Sequence, residues 1–251
     1  MLHPVFLTRP LAHRGLHGPG VPENALPAFR AAIAAGYGIE LDVQPARDGT
    51  PLVFHDSGLR RLAGIDAPVS SLSVAEAAAC RLLGTAHGIP TLEEVLALVA
   101  GRVPVLIEVK DPDGALGPEI GELPDLVARI TAVHAAKGHP VAVMSFNPHM
   151  VAAMARPALA TGLTSCGFAA ADWPLIDAAR RAALARLEDF DAAGACFISH
   201  DCTDLDNPAV LGLARRGFPV LCWTIRSAAA EAAARRIARN ITFEGYRPCA
   251  S

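Results

Sequence analysis

The chain has 251 residues, 52% of them hydrophobic and 19% charged, with a formal net charge of -3. That length suits one α/β domain with a sizeable core, and the composition excludes a disordered or fibrous chain. The near-balanced charge excludes a general nucleic-acid or anionic-membrane binder, so any phosphate recognition has to come from a few placed residues.

The six cysteines form no C-x-x-C pair, and several sit in apolar runs as reduced core thiols do. The N-terminus lacks a basic segment followed by an apolar stretch and a small-residue cleavage site. No apolar run approaches the ~18–20 residues of a membrane span. A cytoplasmic protein with no membrane span is the expectation.

In chain order, residues 10–15 read as a short strand tipped by His13 and Arg14, and 15–22 as a Gly/Pro-rich loop. Asn24 fits either a helix N-cap or a substrate contact. Leu26, Phe29 and Ile33 then show helical spacing, and Gly36 ends it. Strands follow at 39–43 and 52–55. The first carries Glu40 and Asp42, two apart and so on one face. Two carboxylates on a buried face are costly unless a cation or a shared proton offsets them, and a hard divalent metal held by oxygens does so. The alternative is a strand end facing water. Asp48-Gly49 is a hairpin signal. An extended crossover also fits, because eight residues reach about 26 Å against about 17 Å for a five-residue strand.

Residues 57–103 hold short helices, with capping-box patterns at Ser73/Glu76 and Thr91/Glu94. The strand at 103–110 carries Glu108 and Lys110 on one face. Beyond it, helices at 126–136, 149–155, 175–187, 208–216 and 228–239 alternate with strands at 141–145, 158–163, 195–199, 219–224 and 241–243. This alternation implies parallel βα units, with nine strands competing for eight slots. The expected fold is α/β: a slightly irregular (β/α)8 TIM-type barrel spanning 1–251 as one domain, with a short helical insertion region (about 57–103) after the third strand. A doubly wound open sheet is the alternative, and no G-x-G-x-x-G or Walker-type loop follows the first strand to support it.

Four successive strands end in ionisable residues: His13-Arg14, Glu40/Asp42, His55-Asp56 and Glu108/Lys110. In a barrel those ends converge on one mouth, where catalysis occurs. Glu40, Asp42 and Glu108 suit a metal; all-oxygen ligation favours Mg2+, Ca2+ or Mn2+ over zinc. Arg14 and Lys110 suit phosphate contacts, or else neutralise those acids. His13 and His55 fit general acid and base in either order. Trp223 fits a pocket wall as well as a core position. His200 reads as a satisfied barrel histidine.

The segments A-H-R-G (12–15), P-E-N-A (22–25), E-L-D-V (40–43), D-G-x-P-L-V-F-H-D (48–56), I-E-V-K (107–110), S-F (145–146) and W-T-I (223–225) resemble the glycerophosphodiester phosphodiesterase family over nearly the whole chain. The resemblance implies a barrel enzyme that hydrolyses glycerophosphodiesters to an alcohol and glycerol 3-phosphate with one divalent cation, usually Mg2+ or Ca2+. Its partner would be that small-molecule substrate. Three positions depart from the pattern: Ala25 for a common Thr, Arg226 for a common Asn, and Glu244 for an acid one position earlier. Two other readings stand beside it: a phospholipase D-like barrel acting on lysolipids through a cyclic phosphate, and a non-catalytic barrel binding phosphorylated metabolites. If His55 is to share a mouth with Asp42, strands 39–43 and 52–55 are expected to run parallel.

Overall fold

The computed structural model describes residues 1–249. Nine strands form: β1 (Leu11–Ala12), β2 (Gly38–Pro45), β3 (Pro51–Val53), β4 (Val105–Val109), β5 (Val141–Ser145), β6 (Ala160–Ser165), β7 (Phe197–Asp201), β8 (Val220–Ile225) and β9 (Asn240–Phe243). Eight of them pair in parallel around a closed ring, β1-β2-β4-β5-β6-β7-β8-β9 and back to β1. The chain is therefore a (β/α)8 barrel, and the open-sheet alternative fails on the β1–β9 closure.

The strands are apolar on both faces because both are covered, the ordinary state of parallel strands. Outward residues such as Ile39, Leu41, Ile107, Val143 and Ile198 pack against the helices, while Leu11, Leu106, Ala142, Phe197 and Leu221 fill the interior. Gly162 is required by that filling, since a Cβ there would lie 2.4 Å from the Phe197 ring.

The helices are α1 (Leu26–Ala34), α2 (Arg60–Ala63), α3 (Val74–Ala79), α4 (Leu92–Val99), α5 (Leu123–Ala136), α6 (Pro148–Ala153), α7 (Ala178–Ala185), α8 (Pro208–Arg215) and α9 (Ala228–Ala234). Both expected capping boxes form, at Ser73 on α3 and Thr91 on α4. The N-cap of α1 is Ala25, which makes no side-chain cap bond, so Asn24 does not cap it. Between β3 and α4 the chain builds its own small core, in which Phe54, Leu59, Leu62, Val69, Ala77 and Leu82 pack together.

The expected parallel pairing of the second and third strands is wrong. β3 runs antiparallel to β2, with Val43 opposite Val53 and Pro45 opposite Pro51. The reason is the length of β2. Only Gly38–Val43 belong to the barrel, where Gly38 and Ile39 pair with β1 and Ile39–Val43 with β4. Gln44 and Pro45 overshoot the mouth, the chain turns at Gly49 (φ 85°), and β3 returns until Phe54 N donates to Asp42 O at 3.0 Å. A hairpin raised above the rim therefore brings His55 down to the same mouth as Asp42, which a hairpin lying wholly within the barrel wall could not do.

Candidate functional site

The mouth opens into a cavity of about 920 Å3, lined on one side by His13, Arg14, Glu40, Asp42, His55, Glu108 and Lys110. Phe146, Trp173, Trp223 and Leu116 line another part of it. Of the sequence-predicted site residues, Asn24 alone is absent from this lining. It is 1% exposed, sits behind the site, and donates from Nδ2 to Asp42 Oδ2 at 2.9 Å.

Local backbone places the first group. β1 ends at Ala12, and Arg14 (φ 53°) and Gly15 (φ 79°) then turn in the left-handed region. A Cβ on Gly15 would lie 2.8 Å from the Cβ of Ala28, so only glycine lets α1 pack this close. Asn24 (φ 53°) is also left-handed. Such conformations cost about 1–3 kcal/mol for a non-glycine residue and are held by their surroundings. Here Asn24 N donates to Arg14 O (2.9 Å) and Arg14 N to Glu40 Oε2 (3.1 Å).

Glu40, Asp42 and Glu108 are buried, and one oxygen from each lies within 4.8 Å of the others. They share the inward face through strand alternation, and the β2–β4 register sets Asp42 beside Glu108. Lys110 Nζ reaches Asp42 Oδ1 at 2.7 Å and also contacts Glu108 Oε1, while Arg14 Nε lies 3.4 Å from Asp42 Oδ2. Burial, then the charges of Asp42 and Glu108, push the Glu40 carboxyl well above its usual range, so Glu40 tends to keep a proton. Burial acts the same way on Asp42, but Lys110, His55 and Arg14 outweigh it and hold Asp42 below the carboxylate range. Lys110 is raised despite its burial, because Asp42 and Glu108 favour its charge. Three buried carboxylate donors with no nitrogen or sulfur among them fit a hard, oxygen-preferring cation.

Each histidine is held through Nδ1 by a carboxylate: His13 by Glu244 Oε2 at 2.9 Å, His55 by Asp56 Oδ1 at 2.8 Å. Each carboxylate is held in turn by an arginine. Arg226 Nη2 donates to Glu244 Oε2 at 3.1 Å, and Arg61 Nε to Asp56 Oδ2 at 2.6 Å. The His13 hydrogen bond lowers Glu244 to about 2. Asp56, raised by burial but lowered more by bonds from Arg61 and His55, also lies at about 2. Burial lowers His55 below the usual imidazole value against the pull of Asp42, leaving it neutral near pH 7.

The aromatic residues interlock. Phe146 packs against Trp173 (centroids 5.1 Å) and edge-on to Trp223 (5.7 Å), and Trp173 packs against Phe168 (5.1 Å). Trp223 Nε1 donates to Ser199 O at 3.0 Å, which fixes its ring. His200 lies outside the site, buried and bonded to Ser165 Oγ (2.8 Å) and Asp204 Oδ2 (3.2 Å).

Sequence reasoning assigned no role to Glu23, Asp56, Arg61, Phe146, Trp173, Asp201 or Glu244. Glu23, Asp56 and Phe146 lay inside quoted motifs, and Glu244 stood out as a displaced acid two residues beyond inward-facing Thr242. Trp173 and Asp201 gave no periodic signal.

The residues 13–242 match the model of the glycerophosphoryl diester phosphodiesterase family. The chain belongs to that family. Among known relatives it is 32% identical over 131 residues to lysophospholipase D GDPD1 of Rattus norvegicus, covering 47% of this chain and 41% of that protein. It is 39% identical over 114 residues to a glycerophosphodiester phosphodiesterase of Bacillus altitudinis, covering 41% and 45%. The chain thus spans less than half the length of these relatives. Among solved structures, a phosphodiesterase of Oleispira antarctica in complex with the product sn-glycerol-3-phosphate superposes with a TM-score of 0.76 at 22% identity, over 95% of this chain and 93% of that one. A glycerophosphoryl diester phosphodiesterase from Silicibacter pomeroyi gives a TM-score of 0.76 at 23% identity, over 96% and 91%. At such identity these structures speak for the fold.

Proposed function

We propose that this chain hydrolyses glycerophosphodiesters to an alcohol and sn-glycerol 3-phosphate, with one divalent cation, Mg2+ or Ca2+ (or Mn2+), held by Glu40, Asp42 and Glu108. One observation carries the reading: three buried carboxylates converge at a barrel mouth between two histidines, each oriented by its own acid. Bound there, the cation would supply Lewis acidity to a phosphoryl oxygen.

The protein groups divide the remaining work. Thr242 lines the cavity with an Oγ1 that has no hydrogen-bond partner, a polar group that a substrate oxygen would satisfy. Arg14 and Lys110 offset the negative charge that spreads over the phosphoryl oxygens. With Nδ1 occupied, each histidine has Nε2 for the reaction. Neutral His55 accepts a proton from the attacking water as its oxygen bonds to phosphorus. His13 donates a proton to the departing alkoxide as that P–O bond breaks.

The aromatic residues support a second substrate class, because Phe146, Trp173, Trp223 and Leu116 give the cavity an apolar part. Lysophospholipids would place their apolar part there. A panel of glycerophosphocholine, glycerophosphoethanolamine, glycerophosphoglycerol and lysophosphatidylcholine, with Mg2+, Ca2+ or Mn2+ and then EDTA, tests both readings. Phosphate-containing product should appear only with metal, and His13→Ala and His55→Ala should each lower kcat by about 100-fold or more. Turnover unaffected by EDTA would overturn the metal assignment. Near-normal turnover in both histidine variants would overturn their roles.

A further inference from the structure

The guanidinium of Arg61 is engaged at four points. It donates from Nε to Asp56 Oδ2 (2.6 Å), from Nη2 to Asp56 Oδ1 (2.9 Å), from Nη1 to Glu23 Oε2 (2.9 Å) and from Nη2 to Glu23 Oε1 (2.8 Å). Both are fork-to-fork pairings, the geometry in which arginine holds a carboxylate's orientation as well as its charge. Arg61 is not among the residues lining the cavity, and its side chain is 46% exposed. Exposed ion pairs contribute little to stability, so this one is better judged by what its two partners hold.

Asp56 accepts from His55 Nδ1 through its Oδ1 (2.8 Å), and Glu23 Oε1 accepts from Arg14 Nη1 at 2.6 Å. One guanidinium thus closes an unbroken chain, His55–Asp56–Arg61–Glu23–Arg14, running from the residues after β3 to the turn after β1. The segment that supplies Arg61 is itself anchored: α2 is capped by left-handed Gly64, and Leu62 is buried in the small core between β3 and α4. Glu23 is gripped by Arg14 as well as by Arg61, whereas among the described residues Arg61 is the one arginine in contact with Asp56. Without Arg61, the carboxylate of Asp56 keeps only the imidazole that it is supposed to orient.

We propose that Arg61 is a positioning residue for the reaction, setting the His55 ring through Asp56 and the Arg14 guanidinium through Glu23. This rests on the hydrolytic reading above. It assigns to the insertion a function in turnover: the insertion carries the clamp that keeps the proton-transfer group and the phosphate-binding group in one register. It makes two effects inseparable, because one side chain serves both. Loss of the clamp has to appear in kcat, through His55, and in KM, through Arg14.

The test uses the full chain loaded with metal, glycerophosphocholine as substrate, and the variants Arg61→Ala, Arg61→Lys, Asp56→Asn, His55→Ala and Arg216→Ala. The last removes a similar exposed pair, Arg216–Asp191, that has no part in the site. Arg61→Ala should lower kcat roughly 10- to 100-fold and raise KM several-fold, while its thermal midpoint matches that of Arg216→Ala. Guanidinium ion added at millimolar concentration should recover part of the lost kcat. Arg61→Lys, which supplies charge without the fork, should fall between Ala and wild type. Arg61→Ala combined with Asp56→Asn should cost less than the two separate losses multiplied together. If Arg61→Ala keeps kcat and KM while His55→Ala is inactive, the clamp is overturned and the hydrolytic reading stands. The clamp is also overturned if the activity lost tracks a lowered thermal midpoint and neither lysine nor guanidinium restores it. If His55→Ala is as active as wild type, His55 has no role for Asp56 to set and the clamp is overturned while hydrolysis stands. If the metal-loaded wild-type chain releases no glycerol 3-phosphate, it is the hydrolytic reading that fails.

Discussion

At the scale of single residues, the site is governed by how each ionisable group is prevented from drifting. An imidazole can rotate and carries two nitrogens, so a proton-transfer histidine has to have its ring orientation and tautomer set by a partner. Glu244 and Asp56 do this for His13 and His55 through the same nitrogen, Nδ1. Glu244→Gln and Asp56→Asn keep the size of the side chain but remove the charge that favours an imidazolium. Each should lower kcat by roughly 10- to 100-fold with a smaller change in KM, read from steady-state rates of glycerol 3-phosphate release. An unchanged kcat in either variant would show that the corresponding carboxylate only caps its histidine sterically. Glu244 also shows what a sequence pattern conceals. It lies one position beyond the family's usual acid, yet its longer side chain brings Oε2 to hydrogen-bonding distance of His13. A displaced motif letter is thus made up by the extra methylene of glutamate.

At the scale of elements, the raised β2–β3 hairpin is the feature that brings the second histidine to the mouth, and it depends on Gln44. This side chain is 8% exposed, and its Nε2 points at three successive carbonyls: Phe54 O (3.1 Å), His55 O (2.8 Å) and Asp56 O (2.7 Å). It therefore fixes the backbone of the residue whose ring must face the cavity. Gln44→Leu would leave these carbonyls without their donor, at a cost of about 1–3 kcal/mol. Because the carbonyls belong to residues 54–56, kcat should fall as well, and Gln44→Glu, which turns an acceptor toward acceptors, should be worse in both respects. Chemical denaturation and steady-state rates on the same samples check this; a stable, fully active Gln44→Leu would refute it. The hairpin marks where sequence reasoning stops. Asp48-Gly49 carried the turn signal, and the eight apolar-to-polar barrel segments were legible because strands buried on both faces read as apolar runs. The strand ends were harder to see. Gln44 and Pro45 looked like loop, so β2 was read too short. The polar ends of β6 and β7, Thr164-Ser165 and His200-Asp201, were likewise read as outside their strands. Polar residues at barrel ends break the apolar run just where function concentrates, so periodicity locates a barrel's walls better than its rim.

At the scale of the whole molecule, the centre of the barrel mouth carries an electrostatic imbalance that a bound cation would relieve. Glu40, Asp42 and Glu108 lie together in a buried place, with Lys110 against two of them and Arg14 near Asp42. Glu40 responds by holding its proton above the usual range, owing to burial and then to Asp42 and Glu108. A divalent cation reverses that preference, because it favours the ionised form of all three carboxylates. Binding must then displace the proton, so affinity rises with pH across the range in which Glu40 is protonated without metal. The folded chain also gains stability from any ligand it binds and the unfolded chain does not. At a free cation concentration of about 100 times Kd the gain is about 2.7 kcal/mol, which for a chain of this size corresponds to roughly 5–10 °C in thermal midpoint. Melting curves with and without Mg2+ or Ca2+ at a lower and a higher pH should therefore show an upward shift that is larger at the higher pH. With Glu40→Gln the shift should shrink and its pH dependence should flatten, since the displaced proton is gone together with one donor. This readout needs no substrate and no turnover. A midpoint that ignores the cation at both pH values would remove the metal from the site even if the chain proved to be an active phosphodiesterase.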